Sequence, residues 1–265
     1  MPTNLNIPNE DVTLNYIIQH TTRDYINKID KNNPPTPTEI EIQLIKAIKT
    51  QLEILNADLS KGNKMPAPKA LNHSQIAELM MALYPIARVV VSENEDDPDA
   101  NVLAIYQTEG PYKGTYRYNR KDMRKIAREF KYGLNKKEFE EIEEVLKDIA
   151  PQKRRTIDPD LIAVENGIFN YKTKELQDFD EDLVYLSKSQ VAYNPEAKNK
   201  IIHNDEDDTD WDVESWVNEL SDDPEIVQSL WEILSAIVRP HVRWDKAAWL
   251  FSTKGANGKG TLVTL

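Results

Sequence analysis

Residues 74–118 read SQIAELMMALYPIARVVVSENEDDPDANVLAIYQTEGPYKGTYRY. After Ser74 the apolar residues recur at three and four positions as far as Leu83, which predicts a helix over 75–83 that Ser74 opens and Pro85 closes. The run 88–91 is rich in β-branched residues and reads as a strand. VLAIY at 102–106 has the same character beyond the acidic insertion SENEDDPDA, and GTYRY at 114–118 reads as a third short strand. Helix, hairpin and strand in this order give an α+β unit.

Toward the N-terminus, residues 12–29 predict a short helix with Leu14, Ile17, Ile18, Tyr25 and Ile29 on one side, broken by KNNPPTPT at 31–38. Thr38 is the expected cap of a stronger helix. Its residues Leu44, Ile45, Ile48, Leu52, Leu55 and Leu59 form one stripe, suited to core packing or to an oligomer seam, with core the simpler reading. Residues 1–70 are thus a helical N-terminal region, and 71–198 the α+β domain that follows.

That domain continues through the basic helix RKDMRKIAREF and through KKEFEEIEEVLKDI, whose Phe139, Ile142, Val145, Leu146 and Ile149 share one face. Residues 153–195 are short apolar segments between polar turns, expected at Asn166-Gly167 and at Thr173 to Glu175, so short strands are predicted. Residues 199–210 read as an acidic surface linker. Asp212 is the expected N-cap of a helix carrying Trp216 and Leu220, and Pro224 starts a second that runs to Val238. Trp211, Trp216 and Trp231 read as anchors between helices, and residues 247–251 as a buried strand leading into STKGANGKGTLVTL.

The whole-chain numbers exclude several classes. The chain has 265 residues, 40% hydrophobic, enough for two ordinary domains. Mean hydropathy is -0.62, and no run approaches a membrane span or a secretory signal, so a cytoplasmic protein is expected. With no cysteine and four scattered histidines, a disulfide framework, a thiolate nucleophile and a multi-histidine metal site have nothing to build from. Net charge is -12, which opposes nucleic-acid binding only on average. Residues 113–137 hold ten Lys or Arg against two acids, whereas 205–225 hold eleven acids and no Lys or Arg. The basic segment is the candidate DNA-binding surface, through Lys113, Arg117, Arg120, Lys121, Arg124, Lys125, Arg128 and Lys131, of which Arg120, Arg124, Arg128 and Lys131 fall near one helix face, with Tyr116 and Tyr118 as stacking groups; the competing reading is a solvated helix face. The acidic run lacks the glycine of an EF-hand loop and reads as exposed linker.

The chemistry-bearing motif is the glycine loop. Gly255, Asn257, Gly258, Lys259, Gly260 and Thr261 follow an apolar run and open a helix, the setting of a phosphate cradle: backbone N–H groups converge on ATP phosphates, Lys259 reaches the outer ones, and the Thr261 hydroxyl holds Mg²⁺. A strict Walker A pattern would place Gly at Thr253 and Ser or Thr at Gly260, so the loop departs from it at both ends.

KGANGKGTL, the apolar run before it and the segment WDVESWVNELSDDPEIVQSLWEILSAIVRP resemble the start of the superfamily 3 helicase domain of phage and plasmid primase-helicases. The stretch DPDLIAVENGIFNYKTKELQDFDEDLVYLSKSQVAYNP is similar to the segment that precedes that domain in the same family. The resemblance covers residues 115–265 and leaves 1–70 unmatched. It implies the beginning of a P-loop, AAA+-like α/β domain over 211–265, ATP and Mg²⁺ as cofactors, DNA as partner, and self-association into a ring, a hexamer in the full-length protein. It also implies that this chain is an N-terminal piece: no Walker B acids follow the loop, and hydrolysis by the chain alone is expected to be poor or absent. Two alternatives stand beside it: a DNA-binding or interaction module without ATPase activity, and a folate or cell-wall type ligase, whose similar loop lies near the start of its domain.

Overall fold

The structure is a computed structural model and describes residues 13–91, 101–239, 241–242, 245, 247–251 and 258–264. Helices and short strands mix in an α+β arrangement, as the sequence predicts. Two compact units divide the chain, residues 1–155 and 156–265.

The first unit begins with α1 (Leu14–Ile26), α2 (Pro37–Asn56) and α3 (His73–Leu83). Thr36, not Thr38, caps α2: its hydroxyl accepts from Glu39 N (3.3 Å), and Glu39 Oε2 accepts from Thr36 N (2.8 Å). Pro37 then occupies the first turn, where its missing donor costs nothing. Asn72, not Ser74, caps α3 by the same reciprocal arrangement with Gln75, at 2.9 and 3.1 Å. In both cases the cap lies three residues before a Glu or Gln that returns the bond; three residues after Ser74 stands Ala77, which cannot.

Strands β1 (Ile86–Val90), β2 (Asn101–Tyr106) and β3 (Tyr116–Arg117) follow, then α4 (Arg120–Phe130), α5 (Lys136–Ile149) and β4 (Gln152–Arg154). The sheet order is β3-β2-β1-β4. β1 and β2 pair antiparallel from Ile86↔Ile105 to Val90↔Asn101, and β4 runs parallel to β1 with Arg88 opposite Gln152. A parallel return needs a long crossover, here supplied by everything from β2 to α5.

One core unites the unit. Ile17 of α1 and Ile40, Leu44, Ile48 and Leu52 of α2 are buried in the same cluster as Ile76 and Met80 of α3, Met123 and Phe130 of α4, and Phe139, Ile142 and Leu146 of α5. The helical stripe of residues 37–56 therefore packs intramolecularly. Each such side chain contributes about 1.5–3 kcal/mol by leaving water, which fastens residues 13–70 to the α+β segment beyond them.

The second unit holds the antiparallel sheet of β5 (Leu161–Val164), β6 (Gly167–Asn170) and β7 (Glu175–Gln177), over a small core of Ala163, Ile168 and Tyr185. The tight turn is Glu165-Asn166, one residue earlier than expected, because Gly167 already pairs with Val164. A Cβ on Gly167 would meet the carbonyl oxygen of Gln177 and lie 3.1 Å from Leu176 Cδ1, so only glycine lets β7 approach. Segment 199–210 contains a hairpin, not only a linker: β8 (Ile202–Asn204) pairs with β9 (Thr209–Trp211), and the acids 205–208 form its turn, with Asp208 at φ 55°. Trp211 thus lies on a strand, partly exposed, rather than between helices.

Helices α6 (Val213–Asn218), α7 (Pro224–Val238) and α8 (Lys259–Thr264) bury Val217, Leu230 and Leu262 together, with Trp216, Trp231 and Leu250 against them. Residues 247–251 do not form the expected buried strand. Trp249 and Phe251 are 89% and 85% exposed. An apolar run becomes a strand only where a neighbour pairs with it, and among the described residues none does. No helix among those residues is long and apolar enough to cross a membrane.

Candidate functional site

The basic segment folds into three parts: the loop and strand before α4, α4 itself, and its exit toward α5. Asn119 caps α4, accepting from Lys121 N (3.0 Å). The helix buries Met123, Ala127 and Phe130 on one side, which fixes where its cations point. Arg120, Arg124, Arg128 and Lys131 were the expected DNA-facing stripe, and the structure divides them.

Arg120 faces α5. Its Nε donates to both oxygens of Glu143 (3.1 and 3.0 Å), its Nη2 donates to Glu143 Oε2 (2.8 Å), and Glu140 lies 3.6 Å away. The hydrogen bond and charge of Glu143 hold the Arg120 pKa above its ordinary value. Lys131 Nζ donates to Glu138 Oε1 at 2.7 Å. That bond, followed by the backbone N–H of Asn135, holds the Glu138 carboxyl below its ordinary pKa. Arg124 is half-buried, with its Nε shielded from water and unbonded.

Arg128 is exposed and spends only its Nε, on Leu134 O at 3.3 Å. Lys121 and Lys125, among the expected contacts but outside the expected stripe, recur with Arg128 at i, i+4 and i+7, and all three face water. Among the described residues no carboxylate pairs with Lys113, Lys121 or Lys125. Arg117 stacks its guanidinium 3.9 Å from the centre of the Tyr112 ring. Tyr116 is no stacking group: it is 1% exposed and packs on Tyr106, because β3 turns it inward. Tyr118 is 55% exposed, and Tyr132, which the sequence did not single out, is entirely exposed.

Of the glycine loop, Gly255 and Asn257 lie outside the described residues. Gly258 has φ +78°, a left-handed backbone that glycine alone adopts freely, and a Cβ there would stand 2.7 Å from Leu220 Cδ2 and 3.1 Å from Trp216 Cζ2. Lys259, Gly260 and Thr261 form the first turn of α8, held in place by Leu262, whose N–H donates to Gly258 O at 2.9 Å. Lys259 is half-buried and Thr261 exposed. Elsewhere, His203 Nδ1 and Asp210 Oδ1 are 2.8 Å apart across the hairpin, but no group of three metal-ligating side chains occurs among the described residues.

The family model described as D5 N terminal like matches residues 9–235. The chain belongs to this family. It is the N-terminal region of phage and plasmid primase-helicase-type proteins, which identifies the chain as part of a replication protein. The family match begins at residue 9, so α1 and α2, for which the sequence alone gave no resemblance, belong to the family region. It ends within α7, before the glycine loop. No curated protein matches the chain.

Proposed function

We propose that this chain is the N-terminal part of an ATP-dependent replicative DNA helicase of the primase-helicase type, and that its first unit grips DNA through the outer face of α4. The observation that carries the proposal is the division of the basic segment. α5 neutralises Arg120 and Lys131, while Lys121, Lys125 and Arg128 stay aligned toward water with Lys113 and Arg117 nearby in sequence. Aligned, uncompensated cations repel one another and contribute nothing to packing; a polyanion relieves that repulsion and releases its own counterions. Membership of a replication family makes DNA the fitting polyanion.

The glycine loop is proposed to hold ATP through Gly255, Asn257, Gly258, Lys259, Gly260 and Thr261, with Mg²⁺ on the Thr261 hydroxyl. Support comes from Gly258, whose left-handed backbone and lack of side chain let the chain turn directly into α8 against Trp216 and Leu220. A lysine and a hydroxyl in the turn that follows are the donor set a magnesium triphosphate requires. Bound ATP supplies a phosphoanhydride whose cleavage drives movement; the residues present here would bind and orient it. Assembly into a hexameric ring goes with this reading.

The test uses the full chain with a fluorescent ATP analogue, with and without Mg²⁺, and with DNA. Lys259→Ala is expected to abolish nucleotide binding and leave DNA binding intact, whereas the pair Lys121→Gln and Lys125→Gln does the reverse. Nucleotide binding that ignores Lys259 refutes the loop assignment. DNA binding without any nucleotide binding leaves a DNA-binding module, the reading favoured by a family match that stops short of the loop. Unaltered DNA affinity at low salt in the lysine pair refutes the α4 face.

A further inference from the structure

We infer that the ligand of the α4 face is an extended single strand of DNA, with Tyr118 and Tyr132 as base-stacking posts at either end of a one-helix-wide cationic track; this rests on the DNA reading of the face given above. Three observations lead there.

The first is width. Lys121, Lys125 and Arg128 extend over seven helical steps, about 10 Å along the helix at 1.5 Å per residue, in a single row. Acids border the row on both sides. On one side stand Glu138, Glu140 and Glu143 of α5, which hold Lys131 and Arg120. On the other stand the exposed Asp122 and Glu129 of α4 itself. A duplex presents two phosphate rows separated by grooves roughly 6 and 12 Å wide. With one row on the lysines, the other meets carboxylates. A single strand has no second row to repel.

The second is the tyrosines. Tyr132 is fully exposed and Tyr118 more than half exposed, while Tyr106 and Tyr116 of the same unit are buried. Tyr118 lies two residues before α4 and Tyr132 two residues after it, so the cation row is bracketed in sequence by uncovered aromatic rings. Bases within a duplex are already stacked on one another; those of a single strand have free faces for such rings.

The third is Arg117, whose guanidinium carbon lies over the Tyr112 ring, 3.9 Å from its centre, in the segment leading into α4. Stacking restricts the side chain and leaves its N–H edge for phosphate. Phosphate contacts and ring stacking together form the recognition mode of single-strand binders.

The experiment measures fluorescence anisotropy of the full chain with a labelled thymidine strand of about 15 nucleotides, the same strand in duplex, an abasic strand of equal length, and a uridine strand. The wild-type chain is expected to prefer the thymidine strand. Tyr118→Ala with Tyr132→Ala lowers that affinity about tenfold, leaves duplex binding unchanged, and adds nothing to the already weak binding of the abasic strand. Tyr132→Phe retains wild-type affinity, since stacking needs the ring and not the hydroxyl. Equal or tighter duplex binding overturns the inference, as does a tyrosine effect of the same size on abasic and thymidine strands, or none on either. A uridine strand bound more tightly than thymidine overturns the assignment to DNA. If Lys121→Gln with Lys125→Gln leaves all four ligands unaffected, the DNA reading itself falls; if that pair matters and the tyrosines do not, only the single-strand inference falls.

Discussion

The clamp that α5 places on Arg120 makes an unusual demand: removing acids from this protein should strengthen its grip on DNA, and by a calculable amount. Glu140→Gln with Glu143→Gln releases a guanidinium now held at 2.8 Å by Glu143 and flanked at 3.6 Å by Glu140. One cation newly available to phosphate steepens the plot of log affinity against log salt by about 0.7 for a single strand. Between 50 and 200 mM salt that change alone is roughly a two- to threefold difference, largest at low salt. The fold should lose about 1 kcal/mol, because Arg120 is 43% exposed while its bidentate partner Glu143 is 13% exposed. Anisotropy titrations across that salt range, with thermal melts of both proteins, read the two effects separately. Lys125→Gln is the opposite control and should flatten the plot by about 0.7. An unchanged slope in a folded acid-to-amide variant would mean that Arg120 is not withheld by α5, and the sorting of cations proposed for this face would be wrong.

Two other outcomes test the fold beneath the site. Gly167→Val should cost about 1–3 kcal/mol, since its Cβ would meet the Gln177 carbonyl oxygen across the β6–β7 pair; a urea midpoint equal to wild type refutes that register. Acid should loosen helix starts first. The carboxyls of Glu39, Glu138 and Asp212 all lie below their ordinary values, held chiefly by hydrogen bonds from Thr36, Lys131 and Ser215 respectively. Lowered pKa values mean stabilisation that is complete above the unfolded value, 4.5 for the two glutamates, and lost as pH falls through the folded one. Melting temperature should therefore drop in that window, and less steeply in a Glu39→Gln, Glu138→Gln variant; parallel curves would exclude these groups.

Much of this fold is written locally. Periodic apolar positions locate α2 and α5, Asp212 caps α6 as its sequence setting predicts, and α7 runs from Pro224 to Val238 because proline is tolerated only in its first turn. What escaped depends on distant partners. β4 is Gln-Lys-Arg, without strand character, and is a strand only because β1 lies beside it. The β8–β9 hairpin hides in a run of acids, whose composition speaks of solvent and not of pairing.

The same limit governs the site. Helix spacing puts Arg120, Arg124, Arg128 and Lys131 on one side of α4, but which side faces water is decided by Glu138 and Glu143, brought in by another helix. Lys121 and Lys125 are candidates from the sequence, but that they and not Arg120 and Lys131 are the unpaired members among the described residues follows only once that inner contact is known, and Tyr132 is not singled out at all. At the glycine loop, the demand for glycine at 258 comes from Trp216 and Leu220, about forty residues earlier in the chain.

The pairing of β4 with β1 also carries a consequence for how the protein is made. Arg88 N donates to Pro151 O at 2.9 Å and Arg88 Nε to Ala150 O at 3.1 Å, across some sixty residues of chain. A ribosome delivers β1 long before β4 exists, at about 5–20 residues per second. For several seconds the free edge of β1 waits beside an unfinished core, open to pairing with another nascent strand. The first unit is completed only when Arg154 has emerged, so crowding of ribosomes on one message is where its misassembly would begin.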